Sequence, residues 1–465
     1  METDTKKLLA TAPIHQLLYK YSIPTILTLL VNYLYNIADQ IFVGQGVGIT
    51  GMAATNVAFP LTIVTIAIAL MIGDGCAANL NLCLGKKDQE TADKVISHAV
   101  TLLLAAGFLL GFFGSVFARP IVLLFGATST SFQAALDYTR IIMFGLPFLM
   151  FSSALTAIIR ADGNPQFTMK AMMLGAAINL ILDPIFIFCF DMGVVGAGIA
   201  TVIGQVVAGT LCLSRLRKMN TVRIHREWIR PTAAITKQIL RLGFPSFLTQ
   251  IMTAIVQVTM NNLMRKYGAA APFGSDVALS VYGALMKVYQ IAHAMFVGVS
   301  SATQPINSYN FGAKQFQRVK DTYNIASMIA LLVSVGWFAV YQLFPTAIGS
   351  LFVRGDAAYL DACAHIFRLY MMGFFVYGLH MTTTSFFQSI GQPVKALALP
   401  FIRQGVILIP AALLLGARFG LDGALLAVPI ADGVSFFLSL ILIRREFSAW
   451  ERKGMMRISR DGTAV

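Results

Sequence analysis

Charge is what this sequence has least of. Only 12% of its 465 residues are Asp, Glu, Lys or Arg, while 57% are hydrophobic and the mean hydropathy is +0.72. Soluble domains carry about 25% charged and about 45–50% apolar residues, so a soluble globule of this composition would lack the polar surface to coat itself. Cysteine is sparse too. Cys76, Cys83, Cys189, Cys212 and Cys363 fall in or beside apolar segments with no CxxC spacing. That argues against a disulfide framework or thiolate metal site, and they read as small core hydrophobes. The six histidines show no ligand spacing, and His293 and His380, inside apolar segments, read as helix-packing residues. No convergent nucleophile–base or metal set stands out, so an enzyme is not expected. The first residues are charged and form no cleavable-signal pattern, so no segment is expected to be removed.

Long apolar runs are what the sequence does have: Ile23–Ile37, Met52–Met71, Val95–Phe117, Ile141–Ile159 and Ala424–Ile443 carry almost no charge. A bilayer core takes about 20 such residues per helix. The fold class expected is therefore an all-α polytopic membrane protein with about twelve transmembrane helices. The net charge of +14 would suggest nucleic-acid binding in a soluble chain. Here Lys and Arg crowd alternate gaps, the rich set including Lys86/Lys87, Arg215–Arg241, Lys314/Arg318/Lys320 and Arg444–Arg460. That alternation is the positive-inside bias. It places both termini in the cytoplasm with an even number of spans, and the basic balance reports topology, with no nucleic-acid partner expected.

The chain also repeats itself. Sliding the second half by 221–228 residues aligns Ser22-Ile23-Pro24-Thr25 with Phe244-Pro245-Ser246, and Leu84–Lys87 with Phe311–Lys314. It also aligns Asp162-Gly163-Asn164-Pro165 with Ile390-Gly391-Gln392-Pro393, and Gly193–Ala197 with Gly420–Ala424. The expected organisation is an N-terminal six-helix lobe over 1–214, a basic cytoplasmic linker over 215–238, a C-terminal six-helix lobe over 239–446 and a tail over 447–465. Parallel repeats of this kind imply a pseudo-two-fold axis along the membrane normal and a cavity between the bundles, which is transporter architecture. The linker's basic run reads as a solvated face against anionic headgroups, and Asp-Gly-Asn-Pro as tight-turn chemistry.

Charges inside a membrane are costly, so buried acids ask for a function. Asp39, Asp74, Asp183 and Asp432 sit well within apolar segments. Asn36, Asp39 and Gln40 share a helical face, and Asn179 lies one turn from Asp183. Pro184 cannot donate its backbone bond and frees the Leu180 carbonyl. Carboxylates, amides and a free carbonyl at one depth suit Na⁺ or an exchangeable proton; the competing reading is polar residues holding helix to helix. By the repeat, Asp39 maps to about Met260, Asn179 to Val406 or Ile407, and Asp183 to Pro410 or Ala411, so coupling belongs to the first half alone. Asp74, Asp432, Gln257 and Asn261 are further candidates for cation or substrate handling, and Lys287 is the clearest cation deep in a span.

At these residues the chain resembles the multidrug and toxic compound extrusion (MATE) transporters, in particular the bacterial MepA-like branch. The resemblance spans the whole chain and is carried by Tyr35–Gly44, Ile72–Gly75, Ala161–Pro165, Asn179–Pro184 and Gln304–Gly312 in order. It implies antiport, exporting diverse and often cationic drug-like molecules in exchange for Na⁺ or H⁺, with no other cofactor, by a monomer in the lipid bilayer. It also implies a first-lobe cation site at Asp39, Asn179 and Asp183, with Thr201 as a further ligand and Pro24 as the bending proline. Some relatives carry acids in helices seven and ten; Gln257 and the acid-free 371–389 segment make a second-lobe cation site doubtful here. The alternative is a flippase for lipid-linked saccharide precursors, which would be expected to line its cavity with several cations.

Overall fold

The computed structural model describes residues 8–47, 49–124, 132–224, 226–228, 232–352 and 357–455. These residues form helices and turns, with no strand among them. In lipid every backbone polar group must be satisfied within its own segment, which favours this answer for apolar runs. The first six long helices are α1 (Ile14–Gly46), α2 (Ile49–Gly85), α3 (Gln89–Val116), α4 (Phe132–Ala161), α5 (Pro165–Pro184) and α6 (Gly193–Arg215). They are followed by α7 (Ala233–Gly268), α8 (Gly274–Gly312) and α9 (Phe316–Leu343). The tenth, α10, is a bent pair, Ala357–Tyr370 with Phe374–Ser389, turning by 44°.

Among the described residues nine runs are long and apolar enough to cross a membrane, and α10 makes a tenth. One of the nine, Pro393–Arg452, is 60 residues long, far more than a bilayer takes. Gly420, at φ 64° and ψ −138°, breaks it into α11 over 393–419 and α12 over 421–452. With α8, which has the length but not the apolar density, the long helices among the described residues number twelve.

The repeat is visible in the backbone. Lys87 (φ 62°) and Lys314 (φ 61°) occupy the left-handed region at matching turns, as do Gly163 and Gly391, and Gly193 and Gly420. The turns also share their hydrogen bonds. Asp88 N–H reaches back to the Cys83 carbonyl and Lys87 N–H to Leu84, as Gln315 N–H does to Asn310 and Lys314 N–H to Phe311. This is the paired-bond helix stop, which satisfies the last carbonyls of a helix through one left-handed residue. After the first turn Asp88 caps α3 by accepting the Thr91 N–H, and these bonds hold its carboxyl below the usual carboxylate range.

By contacts the chain divides into two units: Ile23–Ile251, and Leu9–Ser22 with the chain from Met252 onward. The divisions fall inside α1 and α7, near Pro24 and Pro245. In the first unit, α2 and the start of α7 approach closely enough that a Cβ on Gly243 would overlap the Met71 carbonyl oxygen. In the second, Phe296, Phe374 and Tyr377 form one aromatic cluster, with ring centroids 5.3–5.6 Å apart.

The described part of the basic segment after α6 is not merely a solvated run. The Asp162 carboxylate accepts the backbone N–H groups of Asn220 (2.8 Å) and Thr221 (2.7 Å) and the Thr221 hydroxyl (2.8 Å). Asp93 accepts the Arg223 N–H at 2.9 Å, and His98 Nε2 accepts the Thr232 N–H at 2.8 Å. The first unit thus binds this segment through its backbone, which carries no charge to advertise the contact. Asp162→Ala is expected to lower stability by about 1–3 kcal/mol, because buried backbone donors lose their acceptor. A lower thermal midpoint with faster proteolysis between Leu216 and Arg223 would show this; unchanged proteolysis would count against the clasp.

Candidate functional site

The first unit's polar cluster is built by four helices. Asn179 and Asp183 lie one turn apart on α5, and Asn179 Nδ2 donates to Asp183 Oδ1 at 3.1 Å. The same amide reaches Thr201 Oγ1 on α6 at 3.4 Å. Asp39, from α1, lies within hydrogen-bonding reach of the Asp183 carboxyl. Burial is nearly complete: Asp39 is 8% exposed, Asn179 3% and Asp183 0%. Two buried carboxylates so placed cannot both be bare anions at low cost; a shared proton or a cation relieves them. Asn179 Oδ1 and Asp183 Oδ2 are buried and accept no hydrogen bond. The cluster therefore presents two buried acceptor oxygens that no donor satisfies.

Two tyrosines complete it that the sequence did not single out. Tyr35 stands one turn before Asp39 on α1, and its hydroxyl is close enough to feel both aspartates. The Tyr138 hydroxyl on α4 lies near Thr201 and likewise neighbours Asp39 and Asp183. The spacing of Tyr35 to Asp39 was a usable signal; Tyr138 carried none. Directly after Pro184, α5 widens into a π turn over Ile185–Cys189, the local answer to a missing backbone donor.

Other candidates are placed elsewhere. Asn36 is exposed, and its amide donates to the Asn32 carbonyl at 2.7 Å. The side chain of Gln40 lies outside the described residues. Asp74 is held in the first unit by the Ser246 hydroxyl at 2.7 Å and by Arg160 at 3.9 Å, apart from the Asp39 cluster. Asn261 is exposed. Pro24 lies within α1, where the Thr28 hydroxyl donates to its carbonyl at 2.7 Å. Four cysteines are buried as expected, but Cys189 is exposed on the π turn. Among the described residues no group of His, Cys, Asp or Glu is arranged to hold a metal through three such ligands.

The second unit holds a cavity lined by Gln257 together with Tyr289, Tyr377, Arg403, Gln404 and Asp432. Here the expectation about cations needs correcting. Lys287 is exposed, its ammonium 5.9 Å from the Phe352 ring, so it is not the buried cation. Arg403 is, at 7% exposure, and it pairs with Asp432 at 2.7 Å. A charge inside an apolar run, Phe401-Ile402-Arg403-Gln404, was the available signal.

Twelve helices from a duplicated sequence, with a buried acid cluster and a polar cavity inside the spans, define a multi-pass membrane transporter. The MatE family model matches the chain over residues 24–185 and again over 245–414. The chain belongs to the MatE family. Among its relatives, the multidrug export protein MepA of Staphylococcus aureus (strain MRSA252) is 24% identical over 434 residues, covering 93% of this chain and 94% of that protein. MepA of Staphylococcus haemolyticus is 26% identical, covering 91% and 92% respectively. An outward-facing multidrug resistance MATE transporter of the MOP superfamily superposes with a TM-score of 0.89 at 26% identity, over 97% of this chain and 100% of that one. A Pyrococcus furiosus MOP superfamily transporter, described as having a binding pocket of reversed polarity, gives 0.88 at 26% identity, over 97% and 99%.

Proposed function

We propose that the protein is a secondary antiporter that exports small drug-like organic compounds in exchange for Na⁺ or H⁺ by alternating access. The single observation that carries this is the buried first-unit cluster, in which Asp39 and Asp183 meet beside the unsatisfied oxygens of Asn179 and Asp183. Na⁺ would take oxygens from Asp39, Asn179, Asp183 and Thr201; a proton would be shared by the carboxyls. Either occupant removes the same electrostatic penalty, so the occupied and empty cluster favour different packings of the helices that supply it. Drug and cation are then linked through that equilibrium, each changing the other's affinity by the same factor. Pro24 supplies the flexible point of α1, near where the chain passes from one unit to the other.

On this reading the protein acts as a monomer in the bacterial inner membrane with both termini cytoplasmic, and 215–238 joins two lobes on that side. The names of the MepA relatives support the export half of the proposal. A lipid-linked saccharide flippase is less well supported, because the buried Arg403 is neutralised by Asp432 and offers no free charge to a pyrophosphate. The test is dye efflux from proteoliposomes under separately imposed Na⁺ and proton gradients. Efflux driven by one of them is expected; efflux indifferent to both would sink the proposal. Gln257→Ala should slow transport far less than Asp39→Asn at equal protein content, because the second unit lacks the acid pair. Equal losses would place coupling elsewhere.

A further inference from the structure

The first unit carries an apolar crevice that the coupling cluster does not use. It lies between α2, α3 and α4, beside the short helix Ala118–Leu124, and holds about 200 Å³. Thr65, Met143 and Leu146 form its floor and are buried, while Val64, Phe113 and Phe117 form its mouth and are exposed. The one hydroxyl on its wall is already spent, because Thr65 Oγ1 donates to the Leu61 carbonyl at 2.8 Å. A water molecule needs two or more polar partners, so the crevice stays dry. Left empty, it would deprive its lining of the dispersion contacts on which helix packing in lipid depends. Hydrocarbon can fill it without losing any hydrogen bond.

The surroundings say which hydrocarbon. Beside the mouth, α3 turns an apolar ladder outward, with Phe108, Leu109, Phe112 and Val116 all exposed, so the crevice opens on a lipid-facing surface. Leu110 to Phe117, which line it, cover about 10 Å along α3 at about 1.5 Å per residue. If a methylene takes roughly the 30 Å³ of a water molecule, the volume holds about seven of them. Length and volume together describe a segment of acyl chain. One end of the crevice is marked by charge. Arg119, exposed on the short helix, stands between Phe117 and Ile121, which both line the crevice. Its guanidinium lies 6.0 Å from the Phe132 ring. The 28 residues of α3 are longer than a hydrocarbon core of about 30 Å, so Arg119, just past the helix end, reaches headgroup level. There a guanidinium can take two phosphate oxygens at once.

We infer that this crevice is a binding site for one glycerophospholipid, with an acyl chain seated along α3 and the phosphate on Arg119. The test is native mass spectrometry of the purified full-length protein, titrated with dioleoyl phosphatidylglycerol and separately with dioleoylglycerol, which has the same chains and no phosphate. The double variant V64F/L110F fills the crevice. It is expected to weaken the first bound molecule of either lipid by at least about tenfold, because the chain loses its contacts with three helices. Val64→Phe alone closes the mouth from an exposed position and carries the same expectation if the double variant does not fold. Arg119→Gln is expected to weaken phosphatidylglycerol several-fold, the scale of an exposed ion pair, and to leave dioleoylglycerol unchanged. Leu109→Phe enlarges an exposed neighbour outside the crevice and should bind both lipids as wild type does. The inference is overturned if the crevice-filling variants, folded by their thermal transitions, bind as wild type, or if Leu109→Phe loses as much as they do, which would mean loosely held surrounding lipid only. It is equally overturned if Arg119→Gln leaves phosphatidylglycerol binding unchanged. The Asp39 cluster enters none of these outcomes, so failure here would leave the coupling site standing.

Discussion

Asp39→Asn and Asp183→Asn, made singly, are expected to cut gradient-driven efflux by at least about tenfold, the scale of a typical coupling free energy between linked sites. Each variant leaves one buried carboxylate, which can protonate alone and needs neither cation nor shared proton. The amide is nearly isosteric, so α1 and α5 should insert and pack as before. Asn179 donates to Asp183 Oδ1, and an asparagine at 183 still offers a carbonyl oxygen there, which favours retained folding. The measurement is the initial rate of dye efflux from proteoliposomes with matched protein content, under a Na⁺ gradient and separately under a proton gradient. If the aspartates only hold helix to helix, the variants should instead lose thermal stability or expression. Well-folded variants that export at the wild-type rate under both gradients would exclude the coupling role. Thr201→Val should give a smaller loss if Na⁺ is the ion and almost none if it is the proton, because the hydroxyl would be a ligand only for the metal.

The second large effect concerns stability. Asp432→Asn strands the Arg403 guanidinium, only 7% exposed, without its counter-charge. Breaking a buried pair by removing one partner typically costs about 3–5 kcal/mol, whereas replacing both by apolar side chains of similar volume is often neutral or stabilising. Thermal unfolding in detergent should therefore rank wild type and R403M/D432L together and well above Asp432→Asn. The Tyr377 ring under the guanidinium softens the single-variant loss, since a cation over an aromatic face retains part of its stabilisation. If the double variant falls as far as the single one, the pair contributes more than charge neutralisation to the fold.

Much of the molecule was readable from residue order. The apolar runs, the alternation of basic gaps and the duplicated turns are local or periodic, and lipid forces each run into a helix. The turn repeats proved structural in detail, because Lys87 and Lys314, like Gly193 and Gly420, share the left-handed backbone that stops or breaks a helix there. Asn179 and Asp183 were legible for the same reason, being one turn apart on one helix. Gly420 was legible as well, since it aligns with Gly193, and its dihedral angles part α11 from α12.

What the tertiary structure alone decided are pairings between helices. Arg403 and Asp432 are 29 residues apart, and Asp162 and Asn220 are 58 apart. Such contacts depend on the depth and rotation of each helix, which hydropathy leaves free. A π turn over Phe401–Leu408 changes that rotation, so Arg403 faces inward, while Lys287 on α8 is exposed. The segment after α6 looked like solvated basic surface because its side chains are charged, yet the first unit holds it by its main chain. Every residue carries the same N–H group, so residue types alone could not reveal that clasp. Tyr138 joined the acid cluster for a related reason: its own segment says only that it is helical, and the packing of α4 against α6 brought its hydroxyl to Thr201.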